Sequence, residues 1–426
     1  VLIRFADAIE AHAPAIAGAL GIDTGRSAIA WIEVQGAAGN IRRWAARGPE
    51  LIAGLERGPK PSAVPGIEIV THWSAFPLFG AIAPWNFPVI LSHIDAVPAL
   101  MAGCAALVKP SEVTPRFVEP MRAVLAEVPE LPLAYVMGGP EVGQALIEEV
   151  DYVCFTGSTA TGRKVAEAAA RRLIPANLEL GGKDPMIITA SADPHWAASV
   201  ALRSSIVATG QACQSIERIY VARSIAEPFL DALVAGAEAV EVTWPDPGKG
   251  HIGPFIFPAQ ADKVQAQIEE ARAKGARVLT GGTVEALGGG KYLRPTILSD
   301  VTPDMAVMRE ETFGPVLPVT VFDELDEAIA LANDSEYGLS AAVLAGSLEQ
   351  AAAIAPRLDA GAISLQDGAL TSMVGDAANQ SRGASGLGPS RMGDTGLTRF
   401  LREQAHIRQT GAPLPIDAYR EGQAPR

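Results

Sequence analysis

An α/β chain with two successive strand–helix halves is what this sequence predicts, and three observations carry that expectation. Short apolar, β-branched runs alternate with segments of helical apolar spacing along most of the chain, the rhythm of parallel strands joined by crossover helices. At 426 residues the chain exceeds one ordinary core, so two or three domains are expected. Hydrophobic residues make up 48% and charged residues 19% of the chain, a balance that favours a buried core over disorder.

The elements follow in order. Leu2 to Ile9 already has helical spacing, so the sequence is expected to begin inside a fold. Helical spacing continues from Trp31 to Trp44, and the Pro- and Gly-rich residues 58–66 close that region. Ile67 to Trp73 alternates and is β-branched, which predicts a strand. Phe79–Ile82 then runs into the turn Ala83-Pro84-Trp85-Asn86-Phe87-Pro88. Ala105–Val108, Leu133–Met137 and Tyr152–Phe155 read as strands, with helices expected over 115–128 and 159–172. A second α/β region begins after Gly182, with strands at Met186–Ile188 and Arg218–Val221 around a helix near 194–208. Helix 259–274 leads to strand 276–280, and the pattern recurs at 325–333 and 340–345. Residues 361–391 are rich in Gly, Ser and Ala and read as loop. Gly383-x-Ser385-Gly386-x-Gly388 within it is read as a flexible closure, because no apolar strand feeds it directly.

Composition excludes several classes. A net charge of −14, from 34 Lys+Arg against 48 Asp+Glu, argues against nucleic acid or an anionic membrane as partner. Cys104, Cys154 and Cys213 are too few and scattered for a disulfide framework, and no C-x-x-C pair offers a zinc site. No metal is therefore expected, and a reducing cytoplasm fits best. Val1 to Phe5 lacks the order of a signal peptide. The most apolar stretch, Val89 to Val108, carries His93, Asp95, Pro98 and Gly103, which predicts a buried helix and strand and no membrane span.

Three segments carry chemistry. Cys213 lies in Gly210-Gln211-Ala212-Cys213-Gln214, a small, polar turn, and a thiol becomes a nucleophile only in a polar, partly exposed setting. Cys104 and Cys154 sit in apolar runs and read as small core residues. Glu179 stands between Leu178 and Leu180 before Gly181-Gly182-Lys183; burial there would raise its pKa and suit a general base. Asn86 is framed by Pro84 and Pro88, which fix the backbone and preorganise an amide donor.

These segments, in this order, resemble the NAD(P)-dependent aldehyde dehydrogenase superfamily, and the resemblance runs from the first helix to about Phe400. It implies a Rossmann-type cofactor domain plus an α/β catalytic domain and a β oligomerisation arm. The expected bounds are 1–58 and 79–181 for the NAD-binding domain, 182–400 for the catalytic domain, and 59–78 with 401–426 for the arm. It further implies Cys213 as nucleophile, Glu179 as general base, and Asn86 with the Cys213 backbone N–H as oxyanion hole. Cofactor contacts are expected from Trp85, from Lys109 and Glu112 at the ribose, and from Gly157 and Ser158 at the pyrophosphate. Glu311 is expected at the nicotinamide ribose, with Phe313 packed near the ring. A carboxylate at Glu112 would repel a 2′-phosphate, so NAD is favoured over NADP. A small-molecule aldehyde and a homodimer or homotetramer are the implied partners.

The sequence departs from the common pattern of that family in three places. Glu217 precedes Arg218 where a small residue is usual, and the segments 363–367 and 386–393 are also unusual. They resemble branches acting on bulky, apolar or aromatic aldehydes; a semialdehyde acid is the alternative substrate. Members also usually carry several dozen residues before the point where Val1 stands, a shortening that is either truncation or natural. A coenzyme A-acylating enzyme and a catalytically silent scaffold are the competing readings; Glu179 argues against the first and the intact Cys213, Glu179 and Asn86 against the second.

Overall fold

The computed structural model describes residues 1–55 and 58–422. Residues 56–57, at the expected edge of the first domain, and 423–426, the end of the expected arm, lie outside the described residues.

The first half forms a six-stranded sheet. Its spatial order is Gly386–Leu387, Ala176–Glu179, Tyr152–Thr156, Leu78–Ile82, Ala105–Lys109 and Leu133–Tyr135. All neighbours are parallel except the Gly386–Leu387 pair with Leu178 and Glu179. The strands after Leu78–Ile82 first spread to one side and then return to the other, so a topological switch point lies between Leu78–Ile82 and Tyr152–Thr156. In open α/β sheets a switch point is where ligands bind, at the carboxyl ends of the strands. Helices Leu2–Ala11, Ala13–Thr24 and Ala28–Leu55 cover one face. Phe5, Ile9, Ile41 and Trp44 join Phe79, Phe117, Leu397 and Phe400 in one buried cluster.

The second half forms a seven-stranded sheet in the order Arg277–Thr280, Thr296–Ser299, Val316–Phe322, Ile216–Ala222, Asp184–Ile188, Ser340–Leu344 and Ala362–Leu365. Its pairs are parallel apart from the antiparallel edge strand Arg277–Thr280. The central strands Asp184–Ile188 and Ile216–Ala222 are buried along their whole length, as expected of a sheet covered on both faces, although they carry Asp184, Glu217 and Arg218. Helices Pro194–Ile206 and Arg223–Glu238 take one side of it. Helices Pro258–Ala273 and Leu325–Asn333 take the other.

A third sheet joins Lys60–Pro61, Ile67–Ala75 and Leu401–Gln409. Its long pair keeps register from Ile67 opposite Gln409 to Ala75 opposite Leu401. Leu401–Gln409 is an open edge whose residues beyond Leu401 are exposed, Ile407 by 70%. Among the described residues, no helix is long and apolar enough to cross a membrane.

The structure corrects the reading of 361–391 as loop. Ala362–Leu365 is an edge strand parallel to Ser340–Leu344, and Gly386–Leu387 extends the first sheet. Edge strands bond on one side only, so they need little apolar content and are masked by glycine-rich neighbours. Gly386–Leu387, Leu397 and Phe400 therefore pack with the first half, although the sequence places them in the 182–400 half.

Candidate active site

The two sheets meet edge to edge. The Trp85–Asn86 turn, Lys109, Gly157 and Glu179 all follow or end strands at the carboxyl edge of the first sheet. Gly182, Cys213 and Phe313 precede Asp184–Ile188, Ile216–Ala222 and Val316–Phe322, adjacent strands of the second sheet, at its amino edge. The chain passes between the sheets through Leu180-Gly181-Gly182-Lys183.

Cys213 is half-buried. A Cβ on Gly182 would stand 2.7 Å from the Cys213 carbonyl oxygen, so only glycine allows this approach of base loop to nucleophile loop. The thiol is partly exposed, as expected, but its surroundings do not favour the thiolate. Burial, and then the carboxyl groups of Asp184, Glu311 and Glu179, push the Cys213 thiol up to about 12. These surroundings favour the neutral thiol over the thiolate. Cys104 and Cys154 are buried, and burial raises both thiols, Cys104 to about 11.

Cys213 is reached through a strained turn. Ala208 and Thr209 adopt φ of 56° and 61°, and Gly210 one of 66°, left-handed conformations that only glycine takes without cost. Buried polar groups hold that turn. Arg26 donates to the Ala208 carbonyl at 2.7 Å and to the Asn86 carbonyl at 2.9 Å. Gln211 accepts from Ile256 N–H at 2.9 Å through Oε1. The Asn86 side chain donates from Nδ2 to the Gln211 carbonyl at 3.0 Å. One Asn86 amide hydrogen is thus committed to the nucleophile turn, and its second is the one left for a substrate oxygen.

Glu179 ends its strand with the side chain 16% exposed. Burial raises its pKa, Arg391 opposes that rise, and its Oε2 accepts from Ser381 Oγ at 2.8 Å.

The residues expected to meet a cofactor lie at the strand ends of the first sheet or, for Glu311 and Phe313, just before a strand of the second. Trp85 and Phe313 meet edge-on at 5.4 Å between centroids. Lys109 is buried and donates to Glu112 at 3.0 Å and to the Pro110 carbonyl at 3.1 Å. Glu112 is the exposed member of that pair. Its own backbone N–H and Lys109 hold its carboxyl below the usual range, against burial. Gly157 N–H is not free for a phosphate; it continues the strand ladder to the Glu179 carbonyl at 3.1 Å. Ser158 is the N-cap of helix Thr159–Arg172, and its Oγ accepts from Thr161 N–H. Glu311 turns inward: Oε1 accepts from Gly182 N–H at 3.2 Å, and burial raises the carboxyl to about 7.

The Glu311–Phe313 turn rests on a buried ion pair that sequence reasoning did not assign. Lys183 Nζ donates to Glu217 Oε2 at 2.7 Å and to Thr312 Oγ1 at 2.8 Å. Glu217 accepts the N–H groups of Thr312 and Phe313 at 2.8 and 2.7 Å. The charged residue where a small one is usual was the visible trace of it. Arg26 and Ser381 left no trace, and Arg391, inside the unusual segment 386–393, and Gln211, in the nucleophile turn, were not assigned roles because their partners are distant in sequence.

The turn carrying Cys213 and the strand end carrying Glu179 thus lie together where the two sheets meet, and comparison with known proteins shows the family. A model described as "Aldehyde dehydrogenase family" matches residues 1–406. The chain belongs to the aldehyde dehydrogenase family.

Among aldehyde dehydrogenases of known structure, the "Putative Aldehyde Dehydrogenase PutA" of Anabaena variabilis is 48% identical, with a TM-score of 0.93 over 97% of this chain and 88% of its own. The NAD-dependent aldehyde dehydrogenase of Sinorhizobium meliloti is 30% identical, with a TM-score of 0.88 over 97% of this chain and 82% of its own. A "Putative succinate-semialdehyde dehydrogenase" of Mycolicibacterium smegmatis, with NADP(+) in its name, is 38% identical over 86% of this chain and 71% of its own. Against a Mycobacterium tuberculosis relative, also 38% identical, the chain spans 63% of that protein's length. The expected fold, an α/β aldehyde dehydrogenase architecture, is the one observed.

Proposed function

We propose that this aldehyde dehydrogenase oxidises an aldehyde to the carboxylic acid with NAD. The observation that carries the reading is the convergence of Cys213, Glu179 and Asn86 where the carboxyl edge of one sheet meets the amino edge of the other.

Each residue has a step its setting suits. Cys213 Sγ adds to the aldehyde carbon after losing its proton, and the buried thiol requires that proton to leave during binding or attack. The free amide hydrogen of Asn86 and the Cys213 backbone N–H donate to the oxygen as it becomes an oxyanion. NAD, when bound, supplies the acceptor for the hydride that leaves the same carbon. Glu179 then takes a proton from water, which attacks the thioester; burial has already raised its affinity for that proton.

The carboxyl edge of the first sheet has the form a dinucleotide needs: a switch point, a capped helix N-terminus at Ser158, and the Trp85–Phe313 pair beside it. Trp85, Lys109, Glu112, Gly157, Ser158, Glu311 and Phe313 are the residues proposed to line it. Gly157 serves by shape, since a Cβ there would stand 2.5 Å from the Phe155 ring. The ionised Glu112 supports NAD over NADP, and the NADP(+) of the M. smegmatis relative's name favours the opposite choice.

An apolar or aromatic aldehyde is the proposed substrate. The name of that same relative favours a semialdehyde acid as the second reading. The open edge Leu401–Gln409 supports pairing with a second copy, as a dimer or tetramer, and the three free cysteines support a cytoplasmic setting. NADH absorbance with NAD or NADP and a panel of benzaldehyde, long aliphatic aldehydes and succinate semialdehyde tests the reaction, cofactor and substrate together. Acyl-coenzyme A formed on adding coenzyme A, or NAD binding with no turnover on any aldehyde, would overturn the hydrolytic reading.

A further inference from the structure

Behind Glu179 runs a ladder of buried charge that the reaction as described does not use. Alternate residues of a strand share a face, so Asn177 and Glu179 of Ala176–Glu179 point the same way. Arg399 Nη1 donates to Asn177 Oδ1 at 2.6 Å, and its Nη2 bonds Asp95 Oδ1. Arg391 Nη2 donates to the other oxygen of Asp95 at 2.6 Å and to Thr156 Oγ1 at 2.7 Å. Asp95, Arg391 and Arg399 are at most 9% exposed. At the end of the ladder Arg391 Nε is buried with no bonded partner, and it lies 3.9 Å from Glu179 Oε1.

The two ends of this arrangement differ. Nη2 is fixed twice, whereas Nε–H is left facing a carboxylate just beyond bonding distance. A buried, unbonded donor on a cation costs free energy, and closing by about one ångström would satisfy it. Charge gives the same direction. With Glu179 ionised, the two carboxylates and two guanidiniums sum to zero; with Glu179 protonated, one buried positive charge is left over.

The geometry points to Arg391 as the positioning residue of the general base: its Nε–H holds the Glu179 carboxylate in place for water activation, while Asp95 and Thr156 fix the guanidinium from its far end. The inference rests on the reading of Glu179 as the base that hydrolyses the thioester. Thr156 immediately precedes Gly157 and Ser158, so the same guanidinium ties the base to the start of the cofactor loop. The groups whose charge acts on Glu179 are Arg391 and Arg399, which favour its ionised form, and Asp95, which opposes it; Ser381 bonds it from the other side.

The test uses p-nitrophenyl acetate, an activated ester. Cys213 displaces p-nitrophenolate from it to form the acetyl thioester, and water then releases acetate and regenerates the thiol. The burst of p-nitrophenol counts acylation and the steady rate reads deacylation, with no cofactor present. Glu179→Gln should keep the burst and lose the steady rate. Arg391→Met should slow deacylation at least about ten-fold and move its acid limb up by about one pH unit, because the cation favouring ionisation is gone. Arg391→Lys should restore the limb but only part of the rate, since an ammonium lacks the fork. Asp95→Asn should move the limb the opposite way, to lower pH. Thermal melting shows which variants fold; if Arg391→Met does not, Arg391→Lys and Asp95→Asn decide. Unchanged deacylation and limb in the folded variants, with Glu179→Gln still trapped as the thioester, overturns the role of Arg391. Full steady turnover in Glu179→Gln overturns the reading of Glu179 instead.

Discussion

Glu311 accepts the backbone N–H of Gly182 at 3.2 Å, which bonds the turn before Phe313 to the loop that follows Glu179. In this state Glu311 faces the nucleophile's surroundings, where its charge helps keep the Cys213 thiol neutral. To meet a ribose it has to leave Gly182. A carboxyl placed this way has its pKa raised to about 7, first by burial and then by Glu217.

The sign of its effect on stability follows. Between its ordinary value of 4.5 and about 7, the folded state binds more protons at Glu311 than the unfolded state does, so this group's contribution falls as pH rises through that window. Glu311→Gln should therefore be more stable than the parent at pH 8, by no more than about 3 kcal/mol. The gain should disappear below about pH 4.5. Thermal melts across that range check it, and a raised KM for NAD in the same variant checks the ribose assignment.

The thiol offers a second prediction. With Cys213 pushed up to about 12, iodoacetamide should alkylate the cofactor-free protein slowly at neutral pH. The rate should climb steadily to at least about pH 10 with no plateau, since only the thiolate reacts. A plateau near neutrality would mean that the thiol ionises without help. Cys213→Ala should remove both the alkylation and the turnover.

Asn86 has two jobs that can be separated. Asn86→Ala removes the oxyanion donor and the bond to Gln211, so kcat should fall by about 10²–10³, with a small drop in melting temperature. Asn86→Asp keeps the shape but sets a carboxylate against the Gln211 carbonyl and the developing oxyanion. It should be at least as inactive.

Lys183 is buried completely and its charge is met by Glu217. Lys183→Met leaves Glu217 buried and unpaired, and should cost about 3–5 kcal/mol in denaturant melts. Adding Glu217→Gln to that variant should recover most of the loss, while the KM for NAD stays high because the Thr312–Phe313 turn has lost its anchor. Equal stability of the single variant and the parent would show that the pair is not buried in solution.

Gly210→Ala should damage both fold and activity. The residue has φ of 66°, and an added Cβ would lie 2.5 Å from the Gly314 backbone, which cannot rotate aside. The turns carrying Cys213 and Phe313 would be forced apart.

What could be read from the sequence was what local patterning records. Helices Thr159–Arg172 and Leu325–Asn333 match their expected bounds because the chain marks them: Ser158 caps the first and the αL residue Leu173 ends it. Cys213, Glu179 and Asn86 stood out because each sits in a short frame of Gly, Pro or Leu. The strand Ala362–Leu365 stayed hidden because an edge strand among glycines carries no long apolar run. Long-range polar partners were invisible for a different reason. Arg391 meets Asp95 across 296 residues and Arg26 meets Ala208 across 182, and nothing in either neighbourhood names the other. The raised pKa of Cys213 was hidden for the same cause, since the carboxyl groups acting on it, Asp184, Glu311 and Glu179, come from separate segments, and Gln211 beside it bonds Pro254 and Ile256.

The meeting of a carboxyl edge with an amino edge divides the labour of the site between two bodies. Glu179 belongs to the first sheet and Cys213 to the second, and the backbone that connects the sheets there, Gly181-Gly182, is the least hindered in rotation that a chain can offer. A small tilt of one sheet against the other leaves each half internally intact but alters the distance from carboxylate to sulfur. On the proposed mechanism attack also draws on both halves, but the Asn86 turn from the first is bonded directly to the nucleophile turn of the second. The proposed release of the acid has to bring the Glu179 carboxylate of one sheet to a thioester on the other, so solvent viscosity, a partner copy clamped on the open edge, or a stiffened crossing should slow it more than attack.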